Sequence, residues 1–183
     1  MAGGIYLCKK NAINIWTYIL IQGLSYMNNP LERLLWSIAL PGFGQLLNKR
    51  YIKGLTFIFL EFLINVQANF NSIILYSFNG EMDRAITEAN YLWLMFYPCL
   101  YFFAMWDAFK DAGGGRSPYS FLPFVSCAYF VTVGLMLSGK IKLLGVIVGP
   151  VWTPMLFVIP GLIVGFLVRR ILLFFTNKQV QGG

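Results

Sequence analysis

The sequence predicts an all-α integral membrane protein, one membrane domain over residues 1–183 with about four transmembrane helices, and three observations carry that reading. Hydrophobic residues make up 58% of the chain and charged residues 11%, where an average soluble domain is about a quarter charged. Four apolar runs, residues 55–78, 85–106, 120–138 and 143–168, come to the roughly 20 residues that a span requires. Most Lys and Arg flank these runs instead of gathering on a polar module, as membrane topology demands. A mean hydropathy of +0.66 agrees.

Residues 1–29 open with Lys9 and Lys10 and carry Asn11, Asn14, Tyr18, Gln22 and Ser25 on one helical side, with Trp16, Ile19, Leu20, Gly23 and Met27 on the other. This pattern predicts an amphipathic helix lying in the interface; a short, poor span is the alternative. Signal-peptide features are missing, since polar residues interrupt the apolar stretch and no Ala-x-Ala site follows. Asn29, Pro30 and Glu32 then form a helix start. The helix over 31–47 meets Pro41, Gly42 and Gly44, which kink or stop it. Running through to Leu47 it would reach about 25 Å at 1.5 Å per residue, marginal for a span. A half-buried or re-entrant helix before Pro41 is the preferred form.

Lys49, Arg50 and Lys53 stand against the start of the 55–78 span. Within it Glu61, Asn65, Asn69 and Ser72 recur at i, i+4, i+8 and i+11, which on one unbroken helix makes a polar face. Such a face looks into the bundle or at a partner. The acidic connection with Glu81, Asp83 and Glu88 reads as external, and 85–106 returns with a kink at Pro98. Residues 107–118 form a charged, glycine-rich inner loop. Span 120–138, an outer turn at 139–142, and span 143–168 follow. The last holds Pro150, Pro154 and Pro160 and is expected to bend. Arg169 and Arg170 close it, before a 171–183 tail whose first residues make an interfacial turn. This threading leaves Arg84, Lys140 and Lys142 outside and the other eleven of fourteen cations inside.

The chain contains no histidine, so imidazole metal sites and Ser-His-Asp or Cys-His nucleophile systems are excluded. Cys8, Cys99 and Cys127 are odd in number and far apart, which suits helix packing better than disulfides. The formal charge of +7 reads as affinity for anionic lipid and not for nucleic acid. No cofactor is expected.

Glu61 is the sharpest candidate: a carboxyl at membrane depth costs roughly 2.5–3.5 kcal/mol on insertion scales, so it marks an ion or proton path or a partner contact, with an interhelical hydrogen bond or a place close to the inner interface as the plainer readings. Asp107, Lys110 and Asp111, at i, i+3 and i+4, are expected to be a solvated helix end worth little individually, with a lipid-proximal ion-pair cluster as the alternative. Gly113, Gly114 and Gly115 read as a flexible loop, since no Lys-Ser/Thr pair follows to cradle a phosphate.

The stretch Leu40-Pro-Gly-Phe-Gly-Gln-Leu-Leu-Asn48, followed by Tyr51-Ile-Lys-Gly54 and a span, resembles small bacterial multi-spanning membrane proteins with a Pro-Gly-x-Gly-Gln-Leu-Tyr-Asn-Gly-x-Tyr-x-Lys-Gly turn. It is distantly similar to the two-transmembrane-helix domain family. Asp107-Ala-Phe109 is similar to an Asp-Ala-Tyr motif at the equivalent place; Leu47 replaces the usual Tyr and Lys49 a frequent Gly. The resemblance covers about residues 33–112 and implies a bacterial cytoplasmic membrane; the positive-inside bias puts the loops at Lys49–Lys53 and 107–116 inside. It transfers no activity.

Independently of it, Pro41, Gly42 and Gly44 end a helix, and Gln45 and Asn48 are expected to satisfy the backbone groups released there. Lys49, Arg50, Lys53, Arg169 and Arg170 anchor to lipid phosphate. The function expected is non-catalytic: a small membrane protein packing against a membrane-protein partner or another copy, as an assembly, accessory or regulatory component. The alternative is a homo-oligomeric transporter or channel whose polar path is lined by Glu61, Asn65 and Asn69. An intramembrane enzyme would need a paired acid or base, which Glu61, Ser126 and Cys127 lack.

Overall fold

The protein is described by a computed structural model covering residues 29–181; the expected interfacial helix at the amino terminus falls, but for Asn29, outside the described residues. The fold is all-α apart from one small hairpin. Helix α1 spans Pro30–Ala39, α2 Phe43–Leu47, α3 Tyr51–Gln67, α4 Phe70–Phe78, α5 Met82–Glu88, α6 Tyr91–Leu94, α7 Phe96–Asp111 and α8 Leu122–Leu137. Strands β1 (Lys142–Leu143) and β2 (Val146–Ile147) precede α9, Gly149–Gln181.

The expected start at Asn29 holds: its side chain accepts from the Leu31 N–H at 3.0 Å, with Pro30 in the first turn. At Pro41 the helix breaks completely. Leu40, the residue before proline, is forced into extended backbone, and Gly42 takes a left-handed φ of 105° before α2 begins.

The largest departure concerns residues 55–78, expected as one span. Helix α3 ends at Gln67, and α4 leaves it at an angle of 64°. Asn69 adopts φ 58°, a conformation that Asn tolerates better than most residues. Its side-chain amide donates to Glu88 O at 3.1 Å, and the Asn90 N–H donates to Ala68 O at 3.3 Å. The polar residue read as part of a stripe therefore acts as a hinge.

The remaining boundaries shift for local reasons. Residues 85–89 do not extend the next span, because Ala89 is extended backbone and α5 is a separate short helix. The final span begins at Gly149 and not at residue 143, since 142–147 close into an antiparallel hairpin with Lys142 opposite Ile147 and Leu143 opposite Val146. Leu144 and Gly145 both take positive φ, as a two-residue hairpin turn requires. Helix α9 continues through Pro154 and Pro160 and on to Gln181, so the expected interfacial turn and polar tail are one helix as far as it is described.

Among the described residues two helical stretches, Tyr91–Asp111 and Gly149–Thr176, are long and apolar enough to cross a membrane, with a third if the bent α3–α4 pair counts as one. Leu122–Leu137 is apolar but has 16 residues. Helices α8 and α9 make the most extensive pairing, while α7 packs on α1 and α8. Gly161 and Gly165 allow the first: a Cβ on either would meet the α8 backbone at Cys127 (2.9 Å) or Pro123 (2.6 Å). The buried cluster Ala68, Ile73, Ala85, Leu94 and Leu135 forms where α4 and α5 meet α6 and the ends of α3 and α8.

Candidate functional site: an interlocked clamp at the charged end

At the other end of the bundle the Pro-Gly turn and the end of α7 lock together. Gly44 lets α2 sit directly on α1 and α7, where an added Cβ would lie 2.6 Å from Arg33 O and 2.7 Å from Ala108 Cβ. Gly42 lies equally close to α3, its Cβ position 2.5 Å from Gly54 O. With the backbones this near, side-chain amides reach across. Gln45, fully buried, donates from Nε2 to Ala104 O at 2.8 Å and to Asp107 Oδ2 at 3.2 Å. Asn48 Nδ2 donates to Ala108 O at 2.8 Å.

Gln45 and Asn48 thus serve α7, which corrects the expectation that they satisfy their own helix end. Helix α2 closes itself with backbone donors, Lys49 N to Leu46 O (2.9 Å) and Arg50 N to Gln45 O (2.9 Å). This is a Schellman closure, and it frees both carboxamides. Its left-handed position is occupied by Lys49 at φ 62°, the place where the resembled turn often has glycine. A non-glycine residue there costs roughly 1–2 kcal/mol. Lys49→Gly is accordingly expected to stabilise the protein by about 1 kcal/mol, read as a raised melting temperature in detergent, with Lys49→Val lowering it.

Charge completes the clamp. Lys53 Nζ donates to Asp107 Oδ1 at 2.7 Å and to Asp111 Oδ2 at 3.1 Å, and Arg50 Nε lies 3.6 Å from the same Asp111 oxygen. The two aspartates therefore pair with α3 and its entry, and Lys110 takes no part in the described ion pairs. Lys53 remains about half exposed, so this network contributes no more than about 1 kcal/mol. The glycine loop is closely packed against α7. Gly113 (φ 87°) caps α7, and Cβ atoms on Gly114 and Gly115 would run into the Phe109 and Trp106 rings at 2.6 and 2.5 Å. Arg169 fastens the end of the α9 span to the same loop, donating to Ser117 Oγ at 2.7 Å. Arg170 is exposed.

The other predicted group is dispersed. Glu61 accepts from Tyr97 Oη at 3.3 Å, and the Tyr97 ring stacks on Tyr101, with centroids 5.5 Å apart. Tyr101 Oη in turn donates to Ile38 O. Asn65 shares the α3 face with Glu61, but Asn69 lies past the break. Among the sequence readings of Glu61, the interhelical hydrogen bond is the one for which the structure supplies a partner. Ala104, Ala108, Tyr97 and Tyr101 were missed as site residues; the legible signal was the match of Arg50 and Lys53, three apart, to Asp107 and Asp111, four apart. Among the described residues no group of three or more His, Cys, Asp or Glu is arranged to hold a metal.

No protein-family model, curated protein or solved structure matches the chain.

Proposed function

We propose that the protein is a multi-pass component of the bacterial cytoplasmic membrane that crosses the bilayer four times, along α3, α6–α7, α8 and α9, with the clamp on the cytosolic side. It acts without catalysis, as an assembly, accessory or regulatory component that packs against a second membrane protein or another copy of itself. The apolar lengths of Tyr91–Asp111 and Gly149–Thr176 support membrane insertion. The separation of Lys49, Arg50, Lys53, Arg169 and Arg170 from Arg84, Lys140 and Lys142 supports the orientation.

The observation that carries a partner is at the α3–α4 break. Gln67, Asn71 and Ser72 are exposed there beside Val66, Leu75 and Phe78, which are 54–65% exposed. Gln67 lies 14 residues beyond Lys53, about 21 Å along the helix, inside a hydrocarbon layer of about 30 Å. Carboxamides at that depth with no partner among the described residues are unfavourable against lipid and favourable against a hydrogen-bonding helix. A photo-crosslinking residue at Asn71 is expected to capture protein, while the same residue at Leu162 captures only lipid. A monomer with only lipid adducts at both positions would overturn the proposal.

The transporter alternative needs Glu61, Asn65 and Asn69 on one path, and the break takes Asn69 off it. In liposomes Glu61→Gln is expected to leave ion and solute flux unchanged from wild type; a flux that the substitution abolishes would reverse this order of preference.

A further inference from the structure

Threonine hydroxyls inside helices commonly turn back onto the carbonyl four residues earlier, and among the described threonines one departs from that habit. Thr56, Thr87, Thr132 and Thr176 donate to Ile52 O, Asp83 O, Ala128 O and Leu172 O at 2.8–2.9 Å. Thr153 is fully buried, and its Oγ1 meets no hydrogen-bond partner among the described residues. The next residue adds a second unmet demand. Pro154 lies inside α9 and carries no N–H, so Pro150 O, on another fully buried residue, lacks its helical donor. Membrane helices tolerate such a proline where hydroxyls, ordered waters or neighbouring helices satisfy the freed carbonyl, and the Thr153 hydroxyl makes no bond to it.

Packing brings further hydroxyls to the same level. Helices α8 and α9 run antiparallel, with Gly165 against Pro123, Gly161 against Cys127 and Phe157 against Gly134. One turn before Phe157 comes Thr153, and one turn after Gly134 comes Ser138, which is fully buried and whose Oγ lies 3.1 Å from Tyr91 Oη. There is room beside the kink, because Pro150 and Pro154 line a hollow whose walls include the buried Leu94 and Leu135. The chemistry of the group selects the occupant. It holds no charged side chain, so an ion would be buried without compensation. A carbonyl needs a donor and a hydroxyl takes either role; one water serves both, and the groups here supply the roughly two to four polar partners that a buried water requires.

We infer that an internal water is bound at the α9 kink, donating to Pro150 O and accepting from Thr153 Oγ1, with the Ser138–Tyr91 hydroxyl pair as its neighbour. It takes the place of the backbone bond that Pro154 removes and so ties the first turn of α9 to the rest of that helix. The inference does not rest on the partner at Asn71.

The test is water-edited solid-state NMR on the full chain, reconstituted in phosphatidylcholine vesicles with its threonine, valine and leucine residues labelled with carbon-13. Polarisation from water protons is expected to reach Thr153 severalfold faster than Leu135, which is buried one turn from Ser138. In Thr153→Val the transfer to residue 153 is expected to fall to the Leu135 level, because the hydroxyl that holds the water is gone. Melting in detergent gives an independent reading. Thr153→Val, which keeps the side-chain shape, is expected to lower the melting temperature by about 2–4 °C, and Thr153→Ser to restore most of that loss. Transfer to Thr153 no faster than to Leu135 would overturn the inference and assign the hydroxyl to another part of the chain or to a partner. Transfer that survives in Thr153→Val marks bulk water entering from the outer end, and an unchanged or raised melting temperature marks a hydroxyl with no ligand; either result overturns it as well.

Discussion

Gly44→Ala is expected to destabilise the protein by about 3 kcal/mol or more, the sum of an overpacked contact and of hydrogen bonds stretched in consequence. The new methyl group would sit 2.2 Å from Ser37 Oγ, 2.6 Å from Arg33 O and 2.7 Å from Ala108 Cβ. The hydroxyl can rotate away, but a helix carbonyl and an alanine Cβ cannot. Helix α2 must therefore lift from α7, which pulls Gln45 Nε2 off Ala104 O and Asn48 Nδ2 off Ala108 O. Thermal unfolding in detergent reads the effect. The control is Gly80→Ala, where φ is +79° but nothing lies within 4 Å, so only the backbone strain of roughly 1–2 kcal/mol remains. A Gly44→Ala protein that melts no lower than Gly80→Ala would show that α2 and α7 are not in close contact.

Gln45→Glu is expected to cost about 3–5 kcal/mol at pH 8, the range for an uncompensated buried charge. The substitution keeps the shape of the side chain but replaces a donor by a carboxylate that faces two acceptors, Ala104 O and Asp107 Oδ2. The direction with pH follows from which form the folded state prefers. Burial and the neighbouring carboxylate raise the introduced group above the ~4.3 of an unfolded glutamate. Between those two values the folded protein holds the proton and the unfolded chain does not, so acidification restores stability relative to wild type. Melting temperatures of variant and wild type, compared at pH 8 and pH 5.5, are expected to converge at the lower value. Gln45→Leu removes the donors without adding charge; its deficit of roughly 1–3 kcal/mol stays constant with pH. A Gln45→Glu deficit that is also independent of pH would mean that position 45 is open to solvent.

Much of this architecture could be read without coordinates, and the readable parts share one property: they are local. The α1 start at Asn29 and Pro30, the stop at Pro41 and the apolar core of α8 each follow from a few neighbouring residues. The failures share another. Asn69 repeats at helical spacing from Glu61, but its conformation is decided by Glu88 O and the Asn90 N–H, residues some 20 positions away. Gln45 and Asn48 looked like caps for their own turn because their acceptors, Ala104 O and Ala108 O, lie about 60 residues downstream. Gly114 and Gly115 looked loose because the Phe109 and Trp106 rings that they accommodate are invisible to a composition argument.

What the amino-acid order determined by itself was the solvent and the punctuation: a chain with this much hydrocarbon and cations at the ends of its apolar runs, broken where proline and glycine forbid a continuing helix. Only the tertiary structure decided which polar groups meet. Side-chain amides and carboxylates have several partners within reach in an extended chain, and the choice among them is made by the close approach of backbones. Gly44 against Ala108 brings Gln45 within hydrogen-bonding distance of α7, and the hinge held by Glu88 O takes Asn69 out of the Glu61 row.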